Sequence, residues 1–273
     1  MRTFPANVVT AMTLGDSSSK SDRIATLRQT VARSKSASLG AVSAHIALGP
    51  PEVQRCLPSS GLSCGAIHEV VGAAHGDRAA AFGFVIALIA CALGARRGPA
   101  VLVVSRRCLE NSGELYGHGL CGLGLDVGRL VLVETQNEKD ALWAIEESLR
   151  SEVASATIAG AIESNLDLAI SRRLDLAATA SGTPLILLRS PIAIGTSVSV
   201  TRWRVAAAPA ARDRFGAFAR YRWSVALERS RNGRVGQWTL EWDHVTHRFR
   251  LAEVVADHAP SQGAGQDGFR LAV

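Results

Sequence analysis

Residues Ala66–Ala90 read AIHEVVGAAHGDRAAAFGFVIALIA. An apolar run ends at Val71, glycines stand at 72 and 76, and from Ala79 to Ala95 the chain is almost wholly apolar. Strand, glycine turn and helix is how a phosphate-binding loop is built: successive backbone N–H groups cradle phosphate at a helix N-terminus. A working loop has the spacing GxxxxGK[ST], in which Lys reaches the outer phosphates and the hydroxyl holds Mg²⁺. Here only three residues separate Gly72 from Gly76, Asp77 takes the Lys position, and Arg78 takes that of the hydroxyl. Gly72, Gly76, Asp77 and Arg78 are therefore the first candidate site, a phosphate loop of altered chemistry.

Downstream, strands and helices alternate. PAVLVVS (99–105), RLVLVET (129–135), SATIAGAI (155–162) and TPLILLRS (183–190) read as strands. Residues 138–152 and 166–180 read as helices. Several strands are continuous apolar runs, as expected where helices cover both faces of a parallel sheet. After Arg189 the pattern changes to apolar–polar alternation in VTRWRVAAA (200–208), RYRWSVALERSR (220–231) and RVGQWTLEWD (234–243). Arg231-Asn232-Gly233-Arg234 is a hairpin signal, and HRFRLAEVV (247–255) reads as a further strand. The expected fold is α/β, a mainly parallel sheet flanked by helices and continued by antiparallel strands. Four segments are expected: 1–20 disordered, 21–56 a basic helix (21–34) and a Pro/Gly/Ser-rich linker, 57–252 the core, and 253–273 a flexible tail.

The chain has 273 residues, is 47% hydrophobic, and carries a net charge of +6, enough apolar content for one full core. A basic balance allows a nucleic-acid partner and equally describes a basic surface. Five cysteines with no CxxC pair fit a reducing compartment. No charged start precedes a long apolar region, so no signal peptide is expected. The run 79–93 reads as too short to cross a bilayer. A cytoplasmic protein without a membrane partner is expected.

Arginines and aromatic rings interleave through the last third. Arg202, Arg204, Arg220, Arg222, Arg229, Arg231 and Arg234 could form a stripe facing single-stranded DNA or a protein partner. Strand alternation supplies the plainer alternative, with Trp203 and Trp223 in the core and Arg in solvent. His244 and His247 form HxxH, a spacing that does not bring both rings to one face of a strand, so no metal site is expected. Trp143, on the amphipathic helix NEKDALWAIEESLR (137–150), reads as half-buried at a core edge or as a partner contact.

GLSCGAIHEVVGA (61–73), LVLVETQNEKDALWAIEESLRS (130–151) and TPLILLRSPIAIGTS (183–197) resemble segments of the RecA ATPase core. GAIHEV, ELYGHGL, DALWAIEESLR, SRRLDLAA, TRWRVAAAP and WTLEWD, in that order, resemble the ImuA family, RecA-like accessory proteins of bacterial damage-induced mutagenesis. The resemblance spans residues 57–251. It implies partnership with an ImuB-type polymerase-like protein and an error-prone replicative-type DNA polymerase, with RecA and single-stranded DNA as further candidates.

The resemblance also implies where hydrolysis would need its groups. A water-activating carboxylate belongs at the end of the second core strand, where Ser105 and Arg106 stand. A Mg²⁺-supporting acid belongs at the end of the fourth, where Glu163 comes one residue beyond the apolar run. Asp77 facing polyphosphate costs what Lys would gain, about 4 kcal/mol per charge pair at ~4 Å and an effective dielectric near 20. The expectation is a degenerate RecA-like core that does not hydrolyse ATP and needs no cofactor. The alternatives are a DNA-dependent ATPase in which Arg78 replaces Lys, and a SulA-like cell-division inhibitor.

Overall fold

A computed structural model describes residues 10–14, 45–151, 153, 156–191, 197–212, 215 and 218–252. The elements in chain order begin with β1 (Thr10–Leu14), β2 (His45–Ile46), α1 (Pro51–Gln54), β3 (Leu62–Ser63), β4 (Ile67–Gly72) and α2 (Arg78–Ala95). Then follow β5 (Ala100–Ser105), α3 (Arg106–Ser112), α4 (Gly117–Gly122), β6 (Leu130–Thr135), α5 (Glu138–Arg150), β7 (Thr157–Ile162), α6 (Leu168–Ser181) and β8 (Leu185–Arg189). The last third holds β9 (Thr201–Ala207), β10 (Ala211–Arg212), β11 (Phe218–Arg220), β12 (Arg222–Ser230), β13 (Gly236–Asp243) and β14 (Arg248–Leu251).

Ten strands form one sheet in the order β1-β6-β5-β7-β8-β4-β9-β12-β13-β14. Every pairing from β1 to β9 is parallel, and those from β9 to β14 are antiparallel. The first strand of the core, β4, thus lies near the middle, with the crossover strands on one side and the meander on the other. This is the α/β, RecA-like architecture expected from the alternation of apolar runs.

Why each element forms is local. β5, β7 and β8 are buried on both faces because helices cover both. β9 alternates buried and part-exposed residues because its outer face is less covered. Asn137 caps α5 by accepting from the Asp140 N–H at 3.0 Å, and Asp167 caps α6 by accepting from Ile170 N–H at 2.7 Å. Gly182, in the left-handed region at φ 62°, ends α6.

Helix α2 has no polar face. Every residue from Phe84 to Leu93 is buried, because the helix lies beneath both the parallel half and the antiparallel extension. Phe84 sits in a ring cluster with Trp203, Trp223 and Phe249 at centroid distances of 6.2, 5.8 and 5.1 Å, and Trp242 joins through Phe249 at 5.0 Å. With its leading turn, the stretch His75–Ala95 is 21 residues and, by length and composition, long enough to cross a membrane. That corrects the expectation of a run too short to do so. The flanking turns extend the apolar run of 79–93 into a longer helix, and 72% of its most apolar 18-residue stretch is buried within the fold.

A second difference lies at the sheet edge. Residues 10–14 fall in the stretch expected to be disordered, yet they pair in parallel with all of 131–135. A Ser-rich neighbourhood masks this short segment, whereas the unpaired N–H and C=O groups along β6 provide a template for it. The expected helix at 21–34 and the tail from residue 253 lie outside the described residues.

Candidate functional site

The loop between β4 and α2 closes on itself. A Cβ built on Gly72 would lie 3.0 Å from the Ala74 carbonyl oxygen and 3.3 Å from the Arg78 nitrogen, so the backbone folds back over this residue and a side chain here would press on it. Gly76 has nothing within 4 Å of the equivalent point. Of the two glycines in the motif, one is needed for close approach and the other is not crowded.

Three of the loop's amides, those of Ala73, Ala74 and Asp77, have partners within the chain. Ala73 N–H donates to the Val205 carbonyl at 2.8 Å, and Asp77 N–H to the Ala74 carbonyl at 3.1 Å. Ala74 N–H donates to Asp77 Oδ2 at 3.1 Å. The other oxygen of Asp77 accepts from Ala207 N–H at 3.0 Å. Asp77 therefore turns back to tie the loop to the end of β9. A further tie comes from β12, where Trp223 Nε1 donates to the Ala80 carbonyl in the first turn of α2 at 3.0 Å.

Arg78 is buried and points under the sheet's C-terminal edge. Its Nη2 lies 2.7 Å from Glu163 Oε1, just after β7, and donates to Cys108 Sγ on α3 at 3.3 Å. Glu163 is the acid that follows the fourth core strand, and the fold brings it to the residue in the hydroxyl position of the loop. Ser105 does not face a substrate but caps α3, accepting from Cys108 N–H at 3.3 Å. Arg106 is exposed beside it. Glu138, at the start of α5, accepts from the backbone N–H groups of Glu163 and Ser164 at 2.6 and 2.9 Å. The turn after β7 is thus held from both sides.

The arginine-rich third is wired mostly inward. Glu69, buried in the middle of β4, accepts from Arg202 Nε and Nη2 at 2.9 and 2.8 Å, from Arg189 Nη1 at 3.2 Å, and from the Ser199 hydroxyl at 3.2 Å. Burial lowers the Arg189 pKa, while Glu69 opposes that change. Arg204 pairs with Glu228 across β9 and β12. Arg220 and Arg222 both pair with Glu241, at 2.6 and 2.8 Å. Burial raises the Glu241 pKa, but hydrogen bonds from the two guanidiniums hold it below the usual carboxylate range. Of the seven candidates, Arg229, Arg231 and Arg234 lie together at the β12–β13 turn and are exposed. Arg229 donates to the Ser197 carbonyl at 2.6 Å and Arg234 to the Arg55 carbonyl at 2.9 Å. Trp203 and Trp223 are core residues.

No family model matches the chain. It is 37% identical over 230 residues to Protein ImuA of Caulobacter vibrioides NA1000/CB15N, an alignment covering 78% of this chain and 91% of the relative. The same protein from strain ATCC 19089 matches equally. The chain belongs to the ImuA family. That family is associated with the machinery of DNA-damage-induced mutagenesis.

Within this ImuA-family chain, two buried polar sites were not anticipated. His68, next to Glu69, faces the opposite side of β4. Its Nε2 lies 2.9 Å from the Ser63 carbonyl and its Nδ1 2.8 Å from Thr201 Oγ1, which accepts from Trp203 Nε1 at 3.0 Å. A carbonyl can only accept, so Nε2 carries the proton and Nδ1 accepts from the Thr201 hydroxyl. Burial pushes the His68 pKa down to about 4. The second site is Glu69 with its arginines. The clue for both was a His-Glu pair inside an otherwise apolar strand, which requires partners. His244 and His247 do not come together on a ligand: His244 Nδ1 lies 3.2 Å from the Gly122 carbonyl. Among the described residues, no group of three or more His, Cys, Asp or Glu could hold a metal.

Proposed function

We propose that this protein is a non-hydrolysing RecA-like adaptor in damage-induced, error-prone translesion DNA synthesis. It would act with an ImuB-type polymerase-like protein and an error-prone replicative-type polymerase, and at the fork with RecA and single-stranded DNA. The observation that carries this reading is the Arg78–Glu163 pair at 2.7 Å. The residue in the hydroxyl position and the acid after the fourth core strand satisfy each other, and so offer no free metal-binding couple. The loop amides of Ala73 and Ala74, with the carboxylate of Asp77, are spent on the joint between the parallel core and the antiparallel extension. Phosphoryl transfer depends on positioned cations and metal, and these groups are turned away from that task.

Calorimetric titration with Mg-ATP, followed by phosphate release with and without single-stranded DNA, tests the proposal. The expected result is neither micromolar binding nor turnover. DNA-stimulated turnover lost in Arg78→Ala would instead establish the ATPase alternative, in which Arg78 leaves Glu163 to meet phosphate.

A further inference from the structure

Helices α5 and α6 lie side by side on the sheet face opposite α2. The channel between them has two lobes. The first, about 810 Å³, is floored by Leu142, Trp143 and Ile170. The second, about 480 Å³, is floored by Leu149 and Ala177, with Leu176 on its rim. Arg150 and Arg173 line both lobes and so stand at the saddle between them. Along α5, the lining residues Lys139, Leu142, Trp143, Glu146 and Arg150 recur at three- and four-residue spacing, which is one continuous helical face. That face, roughly 20 Å long for a 13-residue helix, matches about four turns of a second helix laid in the channel.

The charge at the saddle is unequal. Both guanidiniums converge on one carboxylate, Glu146, at 2.6 and 2.8 Å. Glu146 is 8% exposed, whereas Arg150 and Arg173 are 57% and 55% exposed. Glu147 also lines the first lobe but is buried, and the Glu138 carboxylate is taken by two backbone N–H groups. What reaches the rim at the saddle is therefore two cations sharing one sunken anion, and the exposed Lys139 adds a third cation further along the first lobe. Leu176 beside them is 71% exposed.

We propose that the α5–α6 channel is a docking groove for an amphipathic helix of a protein partner. Apolar residues of that helix fill the two lobes, and an acidic residue between them meets Arg150 and Arg173. Helix-in-groove recognition uses anchors at three- and four-residue spacing, and the rim cations select for the carboxylate and set the register. The placement rests on the reading of this chain as a protein adaptor.

The test uses the full chain and two synthetic helical peptides of about 15 residues. Both carry leucines on one face; one has a central Glu beside that face and the other a Lys. The expected result is that the Glu peptide binds at least tenfold more tightly. It should slow hydrogen exchange within 138–150 and 168–181. In Arg150→Glu/Arg173→Glu the preference should reverse to the Lys peptide. Leu176→Asp, at an exposed position and with an unchanged Tm, should weaken binding at least tenfold. Equal binding of both peptides, binding of neither, or protection on another face would overturn the groove. So would self-association abolished by Leu176→Asp, which would make the occupant a second copy, or protection of these helices by single-stranded DNA instead. ATP turnover would defeat the adaptor reading without touching any of these outcomes, and loss of peptide binding would leave that reading standing.

Discussion

At the scale of single residues, Asp77 shows how one substitution redirects a motif. A carboxylate cannot meet phosphate as Lys does, but it accepts two backbone hydrogen bonds, from Ala74 and Ala207. Asp77→Ala should cost about 2 kcal/mol, because it leaves two amides without their acceptor; urea unfolding would read this as a lower midpoint at constant slope. Arg78 and Glu163 form a largely buried pair. Removing either alone should destabilise by about 3 kcal/mol, and Arg78→Met/Glu163→Met should recover most of that loss, since apolar replacement of a whole pair is often nearly neutral. A double-mutant cycle by denaturant unfolding checks it. His68 makes stability depend on pH. With its folded pKa near 4 and its unfolded pKa near the ordinary 6.5, the unfolded chain takes up the proton first as pH falls. Its contribution is complete above about pH 6.5 and is lost between there and pH 4, by about 3 kcal/mol at most. His68→Gln should remove that part of the decline when stability is measured at pH 7 and pH 4.5.

At the scale of elements, α2 and the meander depend on each other. The helix is apolar all round because two different surfaces need it, and the ring cluster about Phe84 is where they meet. Phe84→Ala should cost about 3–5 kcal/mol. The unfolding of the antiparallel half, followed by Trp fluorescence, should coincide with that of the whole chain. Separate transitions would show that the extension is an independent unit. The strands β4 to β9 and β12 to β14 and the long helices were legible from their apolar runs, alternation and caps, whereas β2, β3, β10 and β11, of two or three residues, are too short to carry a pattern. The short helices α3 and α4 were not legible either, because their apolar periodicity runs for less than two turns. Nor was β1, since a five-residue edge strand is specified more by the edge it joins than by its own residues.

At the scale of the whole molecule, the seven arginines of the last third singled out from the sequence overstate what a nucleic acid would meet. Arg202, Arg204, Arg220 and Arg222 are paired with Glu69, Glu228 and Glu241. If the exposed Arg229, Arg231 and Arg234 supplied all the phosphate contacts, log K for single-stranded DNA would fall against log salt with a slope of about −2, at ~0.7 per contact. A slope near −5 would mean that the paired arginines also reach phosphate. Fluorescence anisotropy across a salt series measures it.

Periodicity in the sequence determined the α/β class, the parallel run and the turn to antiparallel strands, because each follows from which side chains must leave water along a local segment. The ordered motifs determined the family, and the altered spacing at Gly76-Asp77-Arg78 announced a changed loop. Only the tertiary structure decided where those groups went. The pairings of Arg78 with Glu163, of Arg202 with Glu69, and of Arg173 with Glu146 join separate elements. A charge in a sequence is available to a ligand only if the fold has not already brought it an opposite one, and that depends on distances no local pattern contains.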